Sequence, residues 1–283
     1  MRGYRAVLFA WASTFAGLAG GRAQETSFSV LTYNIRYDNP ADGENAWSER
    51  RHFLAGQLRF YAPDIFGVQE ALRHQLEFLG EQLPAYSWVG VGRDDGEAGG
   101  EYSAVFFRKS RFSVQQSGTF WLSPTPERVS KGWDAALPRI CTWALLEDKA
   151  AGRHVWVFNT HFDHVGREAR RMSASLLLLR LWEMNRQRYP VVLMGDFNAG
   201  PNTEPIQILL RELYDARVRS QEPPFGPEGT FNGFRFYEPV ELRIDYIFTT
   251  PDLRVCKYAV LSDSKNCRYP SDHLPVYALL AYD

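Results

Sequence analysis

Val191-Val-Leu-Met-Gly-Asp196-Phe-Asn198 is an apolar run of strand length that stops on an acid and an amide two residues apart. A short apolar run bounded by polar groups reads as a buried strand. Residues two apart at its end point the same way, and Gly195 leaves the backbone room for a close neighbour. The design recurs in Leu31-Thr-Tyr-Asn34, Asp64-Ile-Phe-Gly-Val-Gln-Glu70, Phe158-Asn-Thr-His161 and Ser271-Asp272-His273. Carboxylates, amides and imidazoles delivered from strand ends can converge on one cleft, and together they have the makings of a metal-assisted hydrolase site. Each has a plainer reading when it stands alone. An Asx turn accounts for residues 196–198, and a solvated acid opening a helix accounts for Glu70.

Strands are expected over residues 28–34, 65–69, 88–91, 103–107, 139–146, 154–160, 191–195, 244–249, 254–261 and 275–281, many of them rich in Val, Ile, Phe, Tyr and Trp. Helices are expected over 47–60, 72–82, 167–188 and 203–213. The connections are too irregular, and the hairpin-like pairs too many, for a simple doubly wound sheet. The order fits an α+β fold, a four-layer α/β sandwich of two packed mixed sheets flanked by helices. Residues 123–138 show no period, and a loop of that length in a compact domain is often a binding loop.

The 283 residues, 45% apolar and 14% aromatic, suffice for one large core. Residues 1–23 differ from the rest: Arg2 and Arg5, an apolar stretch, then small residues up to Ala23. This reads as a bacterial signal peptide cleaved before Gln24, without a lipid-bearing Cys, leaving one domain over 24–283 in a secreted or periplasmic protein. A short membrane anchor is the alternative, although the stretch is brief and broken by Ser13 and Thr14. The net charge of −1 becomes more negative once Arg2, Arg5 and Arg22 are gone. A dedicated nucleic-acid binder usually carries a basic stripe, so nucleic acid is not the favoured partner. A monomer is expected. Of the three cysteines, Cys141 reads as a core thiol, while Cys256 and Cys267 are close enough in sequence to close a small loop.

A single carboxylate such as Glu70, with an amide such as Asn34 nearby, suits Mg²⁺, which keeps several of its waters. Asp196 can orient or deprotonate a water while Asn198 holds a phosphoryl oxygen. Asp245 and His273 suggest an imidazole oriented by a carboxylate, able to move protons near neutral pH. His161 is a second such imidazole. The spacing His161-Phe-Asp-His164 raises zinc, but no matching Cys or Glu-His motif accompanies it.

Taken together, these segments resemble the endonuclease/exonuclease/phosphatase superfamily, whose fold is that of pancreatic deoxyribonuclease. The resemblance runs from Leu31 to Pro275 and is closest to a secreted bacterial branch. It implies Glu70 as principal metal ligand, with Asn34 and Asp272 close to a Mg²⁺ or Mn²⁺ ion. Asp196 would activate the nucleophilic water, and Asn198 would hold the scissile phosphate. Asp245 would brace His273, and Glu101 would orient His161. A hairpin-edge acid after Gly99-Gly100 is the plainer account of Glu101. Arg139 is placed to clamp a phosphate oxygen, Arg36 and Tyr37 to line the cleft, and Trp133, in the long loop, to meet substrate. In-line attack of water on a phosphoric ester is implied, with a phosphodiester foremost. An extracellular endonuclease is the alternative, followed by a sphingomyelinase-like enzyme, an inositol-phosphate phosphatase, and an inactive binding module.

Overall fold

A computed structural model describes residues 27–283, together with Gly3. The signal-peptide expectation for residues 1–23 lies outside the described residues, apart from Gly3. The elements run β1 (Ser27–Asn34), a 3-10 turn (Pro40–Asn45), α1 (Trp47–Tyr61), β2 (Ile65–Ala71), α2 (Arg73–Gln82), β3 (Tyr86–Val89), β4 (Tyr102–Arg108), β5 (Phe112–Trp121) and β6 (Ile140–Asp148). They continue with β7 (Arg153–His161), α3 (Arg167–Met184), β8 (Val191–Asp196), α4 (Glu204–Leu209), β9 (Tyr214–Asp215), α5 (Ala216–Arg219), β10 (Asp245–Thr249), β11 (Leu253–Val260) and β12 (Val276–Tyr282).

The strands form two six-stranded mixed sheets, ordered β11-β12-β1-β2-β4-β3 and β5-β6-β7-β8-β10-β9. This is the expected two-sheet α/β sandwich. Each sheet is antiparallel except for one inner parallel pair, β1 with β2 in the first and β7 with β8 in the second. Both parallel pairs end on motif residues, Asn34 beside Gln69 and His161 beside Asp196.

Alternation along each strand builds the layers. Phe28 and Val30 of β1, with Val192 and Met194 of β8, enter the core between the sheets. Leu31 and Tyr33 turn outward onto Leu54 and Leu58 of α1 and Leu76 and Leu79 of α2. Val191 and Leu193 turn outward onto Leu177 and Leu181 of α3 and Ile206 and Leu209 of α4. With both faces covered, the inner strands need continuous apolar runs, as the sequence shows. A buried polar network centred on one amide interrupts the inter-sheet layer. Fully buried Asn159 of β7 donates to Val68 O (3.0 Å) and Ala104 O (2.8 Å) of the first sheet and accepts from Gln69 Nε2 at 2.6 Å. A Cβ at Gly67 would lie 2.6 Å from the Asn159 side chain, so a glycine there makes the approach feasible.

The 3-10 turn, β9 and α5 had no counterpart among the expected elements, and three further elements differ from expectation. β5 went unread because its middle, Gln115-Gln116-Ser117, is exposed on an edge strand with a bulge between Val114 and Gln116. The helix expected over 167–188 stops at Met184, where the Asn185 side chain folds back on the Tyr189 backbone (2.7 and 2.8 Å). The helix expected over 203–213 is shortened to Glu204–Leu209. All three cysteines are free, so Cys256 and Cys267 are not joined.

Candidate active site

Glu70 owes its position to a local distortion. The β2–β4 register shifts between Val68 and Ala71, and Glu70 takes a left-handed backbone (φ 62°) inside this bulge. Bulges re-aim side chains next to functional sites. The Glu70 carboxylate accepts from Asn34 Nδ2 (3.0 Å) and from the Tyr37 N–H (3.2 Å). Asp272, held just before β12, faces it, and Arg36 Nη1 stands 3.9 Å from both carboxylates. Arg36 also has a left-handed backbone (φ 57°), and Asp42 grips its guanidinium through two bonds of 3.0 Å. Burial pushes the Asp272 carboxyl above its ordinary range, and the neighbouring Glu70 charge adds to the rise.

Opposite lies the end of β8. A Cβ at Gly195 (φ 149°) would collide with the Thr160 carbonyl, so only glycine lets β8 pass β7 this closely. Asp196 Oδ1 then accepts from the Asn198 N–H (2.9 Å), closing a turn with Asn198 at φ 46°. The plainer Asx-turn reading of this motif is therefore correct as local structure, and the turn itself presents the functional groups. Asp196 Oδ2 accepts from Asn34 Nδ2 at 3.0 Å, which joins the two halves of the site. Left-handed conformations at non-glycine residues cost on the order of 1 kcal/mol each, and here they cluster on Arg36, Glu70 and Asn198.

The two histidines are held in opposite states. Asn198 Nδ2 donates to Phe162 O (3.1 Å) and lies 3.0 Å from His161 Nε2. An amide N–H only donates, so Nε2 accepts and the neutral ring carries its proton on Nδ1, facing Glu101 Oε2 at 4.0 Å. Burial, reinforced by Arg139 and Arg93, pushes the His161 pKa well down and keeps the ring neutral. Burial acts on His273 in the same direction, but Asp245 and Asp196 outweigh it and raise its pKa to about 10. Asp245 Oδ2 lies 2.8 Å from His273 Nδ1 and Asp196 Oδ2 lies 3.7 Å from Nε2. Burial and the neighbouring Asp245 push the Asp196 carboxyl up to about 7, which suits a group that takes up a proton during reaction.

Glu70, Asp272, Asp196, Asn198, His161 and His273 line a cavity of about 500 Å³ with Arg36, Tyr37, Glu101, Arg139 and His164, and Asn34 and Asp245 stand behind them. Glu101 is brought to His161 as expected and is itself paired with Arg93 Nη1 at 2.6 Å. Arg139 is 5% exposed and reaches His164 Nδ1 (3.0 Å) and Asp163 Oδ2 (3.5 Å). His164 is thus the neighbour of an arginine, and His161 that of Asn198, so the two do not form a zinc pair. Trp133 is a correction. It lies in a separate apolar depression with Pro124, Pro126, Met172, Leu176 and Leu179. Asp134, the next residue, ties the loop to the start of α3 by accepting from the Ala169 N–H at 2.7 Å, which turns Trp133 onto the helix and away from the site. Arg93, Asp163 and the cavity-wall residues Leu137, Phe231, Leu242 and Ile244 went unread in the sequence, because an isolated Arg, Asp or Leu carries no local signature.

Residues 31–273 match the sequence profile of the endonuclease/exonuclease/phosphatase family. The chain belongs to that family. Members of the family are metal-dependent phosphoester hydrolases. An endonuclease/exonuclease/phosphatase family protein from Bacteroides thetaiotaomicron is 39% identical with a TM-score of 0.88, covering 91% of this chain and 98% of that one. A mannosyl-6-phosphatase from the same organism is 38% identical with a TM-score of 0.87, covering 90% and 100%. Nocturnin of Xenopus laevis is 25% identical over 207 residues, which cover 64% of this chain and 50% of that protein. The chain spans about half the length of the curated relatives it matches, from 35% to 59% in three of them.

Two oxygen-rich groups in this family site have the chemistry to hold a divalent ion. Glu70 and Asp272 offer hard carboxylate oxygens around a point that already attracts the Arg36 cation, and the Asn34 amide borders it, donating from Nδ2 to Glu70 and accepting the Arg36 N–H on Oδ1 at 3.0 Å. Asp196, Asp245 and His273 form a second, buried group whose ligand atoms lie within 4.8 Å of one another. In that group, however, His273 Nδ1 is spent on Asp245, which fits a proton-handling chain better than a metal cage.

Proposed function

We propose that this chain is a metal-dependent phosphoric ester hydrolase acting on small phosphate esters, with sugar phosphate monoesters as the favoured class. The observation that carries the reading is the cavity itself. Arg36, Arg139, protonated His273 and the metal-binding oxygens of Glu70 and Asp272 all face about 500 Å³ of space, a volume suited to a small ester. A monoester dianion carries more charge than a diester and gains more from this crowd of cations. The rim adds Leu137 and Leu242, 38% and 51% exposed, with Phe231 and Tyr37. These offer mostly apolar contact, suited to a leaving group, and add no cationic side chain for the flanking phosphates of a nucleic acid. The similarity to a mannosyl-6-phosphatase over 90% of the chain supports the same class.

In this reading Glu70, Asn34 and Asp272 hold Mg²⁺ or Mn²⁺, which when bound neutralises charge on the phosphoryl oxygens. Asp196, anchored by Asn34 and the Asn198 N–H, orients the attacking water and takes its proton. Protonated His273 donates toward a phosphoryl oxygen while Asp245 holds its ring. Neutral His161, aligned by Asn198 and Glu101, fixes the Asp196 side of the pocket. Arg139, set by Asp163, binds a non-bridging oxygen. The leader-like residues 1–23 support work outside the cytoplasm.

The test is hydrolysis of mannose 6-phosphate, glucose 6-phosphate, bis-p-nitrophenyl phosphate, RNA and sphingomyelin with Mg²⁺ or Mn²⁺, beside Asp196→Ala. Release of phosphate from a sugar monoester, lost in the variant, is the expected result. Faster turnover of the diester or of RNA would overturn the monoester reading, and phosphodiesterase or nuclease activity would replace it.

A further inference from the structure

Arg50 of α1 is not among the residues lining the cavity, yet its position bears on the metal-binding half of the site. It is 5% exposed, and its guanidinium donates to five main-chain carbonyls. Nε reaches Asn45 O (2.9 Å), Nη1 reaches Ile35 O (2.5 Å) and Pro270 O (3.2 Å), and Nη2 reaches Arg36 O (2.8 Å) and Tyr37 O (3.4 Å). The ring of Trp47 packs 5.1 Å from the guanidinium carbon and that of Phe234 5.9 Å from it.

The five carbonyls are not scattered. Residues 35–37 leave β1 directly after Asn34, and Pro270 stands two residues before Asp272. Asn45 closes the 3-10 turn that carries Asp42, the residue gripping Arg36. One rigid planar fork therefore joins the backbone behind two site residues, Asn34 and Asp272, that are 238 positions apart in the chain. Ser271 Oγ makes a second tether between the same stretches by donating to Asn34 O at 2.7 Å. A buried guanidinium is costly unless all its donors are used, and here they are used on irregular backbone that has no strand partner to satisfy it.

We propose that Arg50 is a positioning residue for the divalent ion: by clamping residues 35–37 to residue 270, it sets the spacing of Asn34, Asp272 and Glu70 and so the affinity of the site. The inference rests on the assignment of those three residues as the metal site. Lysine keeps the charge but concentrates its donors on one nitrogen and cannot span the five carbonyls. Methionine keeps the stem and removes the charge.

The experiment is Mn²⁺ titration of the full chain, by calorimetry and by the loss of the free-ion paramagnetic signal, for wild type, Arg50→Lys, Arg50→Met and Ser271→Ala. Thermal unfolding is followed in the absence of metal. Arg50→Lys is expected to fold and to bind Mn²⁺ about 10- to 100-fold more weakly, the range found when groups that orient metal ligands are removed. Its kcat at saturating Mn²⁺ should return to within a few-fold of wild type. Ser271→Ala should weaken binding less and in the same direction, and it keeps the test alive if both Arg50 variants fail to fold. Unchanged Mn²⁺ affinity with a lowered melting temperature would overturn the proposal and leave Arg50 a purely structural clamp. Tighter binding by Arg50→Met would overturn it differently, by showing that the arginine acts through charge alone. A wild type that binds no Mn²⁺ would sink the metal assignment itself, and the inference with it.

Discussion

The two sheets meet at one cavity but bring different chemistry to it. The first, through β1, β2 and the residues before β12, presents Glu70 and Asp272, carboxylates gathered around a cation, with the Asn34 amide beside them. The second, through the ends of β7 and β8 and the start of β10, presents His161, Asp196, Asn198 and Asp245, a chain of groups that accept, donate and hold protons. Asn34 and Glu70, and likewise His161 and Asp196, come from the one parallel pair of their sheet, while Asp272, just before β12, and Asp245 of β10 come from the antiparallel neighbours. His273 is the exception: its backbone lies beside β12 of the first sheet, while its Nδ1 faces Asp245 of the second. In the proposed function this division separates charge neutralisation from proton transfer, with Asn34 bonded to both sides through Glu70 and Asp196.

That separation can be broken from either side. The largest effect is expected at the second sheet. Asp196→Ala or His273→Ala should lower kcat by about 10²- to 10⁴-fold while Mn²⁺ binding holds, with single-turnover rates and metal titration as the two readouts. Weakened metal binding in either variant would show that the halves are one unit. Next comes Glu70→Gln. Activity should fall on the order of 100-fold at fixed Mg²⁺ and recover in part as Mg²⁺ is raised, a rescue that Asp196→Ala must not show.

A smaller effect is expected in stability. Asp163 is buried against that burial's cost, because the Gly166, Ala136 and Val165 N–H groups and Arg139 hold its carboxyl down to about 2. A folded pKa below the unfolded value of about 3.9 gives stability above pH 4 that is lost as pH falls toward 2. Asp163→Asn should therefore unfold at a lower temperature than wild type at pH 7, by about 1–3 kcal/mol, and the gap should close on acidification. A gap that persists at pH 2.5 would refute this. The smallest effect belongs to the rim. Leu242→Ala should raise KM a few-fold for the preferred ester and leave kcat unchanged, as expected of uniform binding.

The sequence made the strand-end motifs legible because each couples an apolar run to a polar stop, a pattern visible without knowing the fold. Asn34, Glu70, His161, Asp196, Asn198, Asp245, Asp272 and His273 all converge as those motifs implied, and Glu101, Arg139, Arg36 and Tyr37 join them. The supports were not legible. Arg50 and Asp163 act across up to 220 and 24 residues and Arg93 across the eight to Glu101, through carbonyls and side chains that only folding brings near. Trp133 was misjudged for the converse reason: a long loop was taken as free to face substrate, whereas Asp134 fastens it to α3. β5 escaped because an exposed edge strand loses the alternation by which strands are recognised.

Asn159 gives the sandwich something an oily interface lacks, a preferred alignment. Apolar layers tolerate small slips, since one methyl replaces another at little cost, whereas an amide with partners at Val68, Ala104 and Gln69 fits at a single offset. Selection for hardiness alone would favour a leucine there. A site assembled from two packed sheets needs its mating surfaces indexed, and this amide serves as the dowel pin.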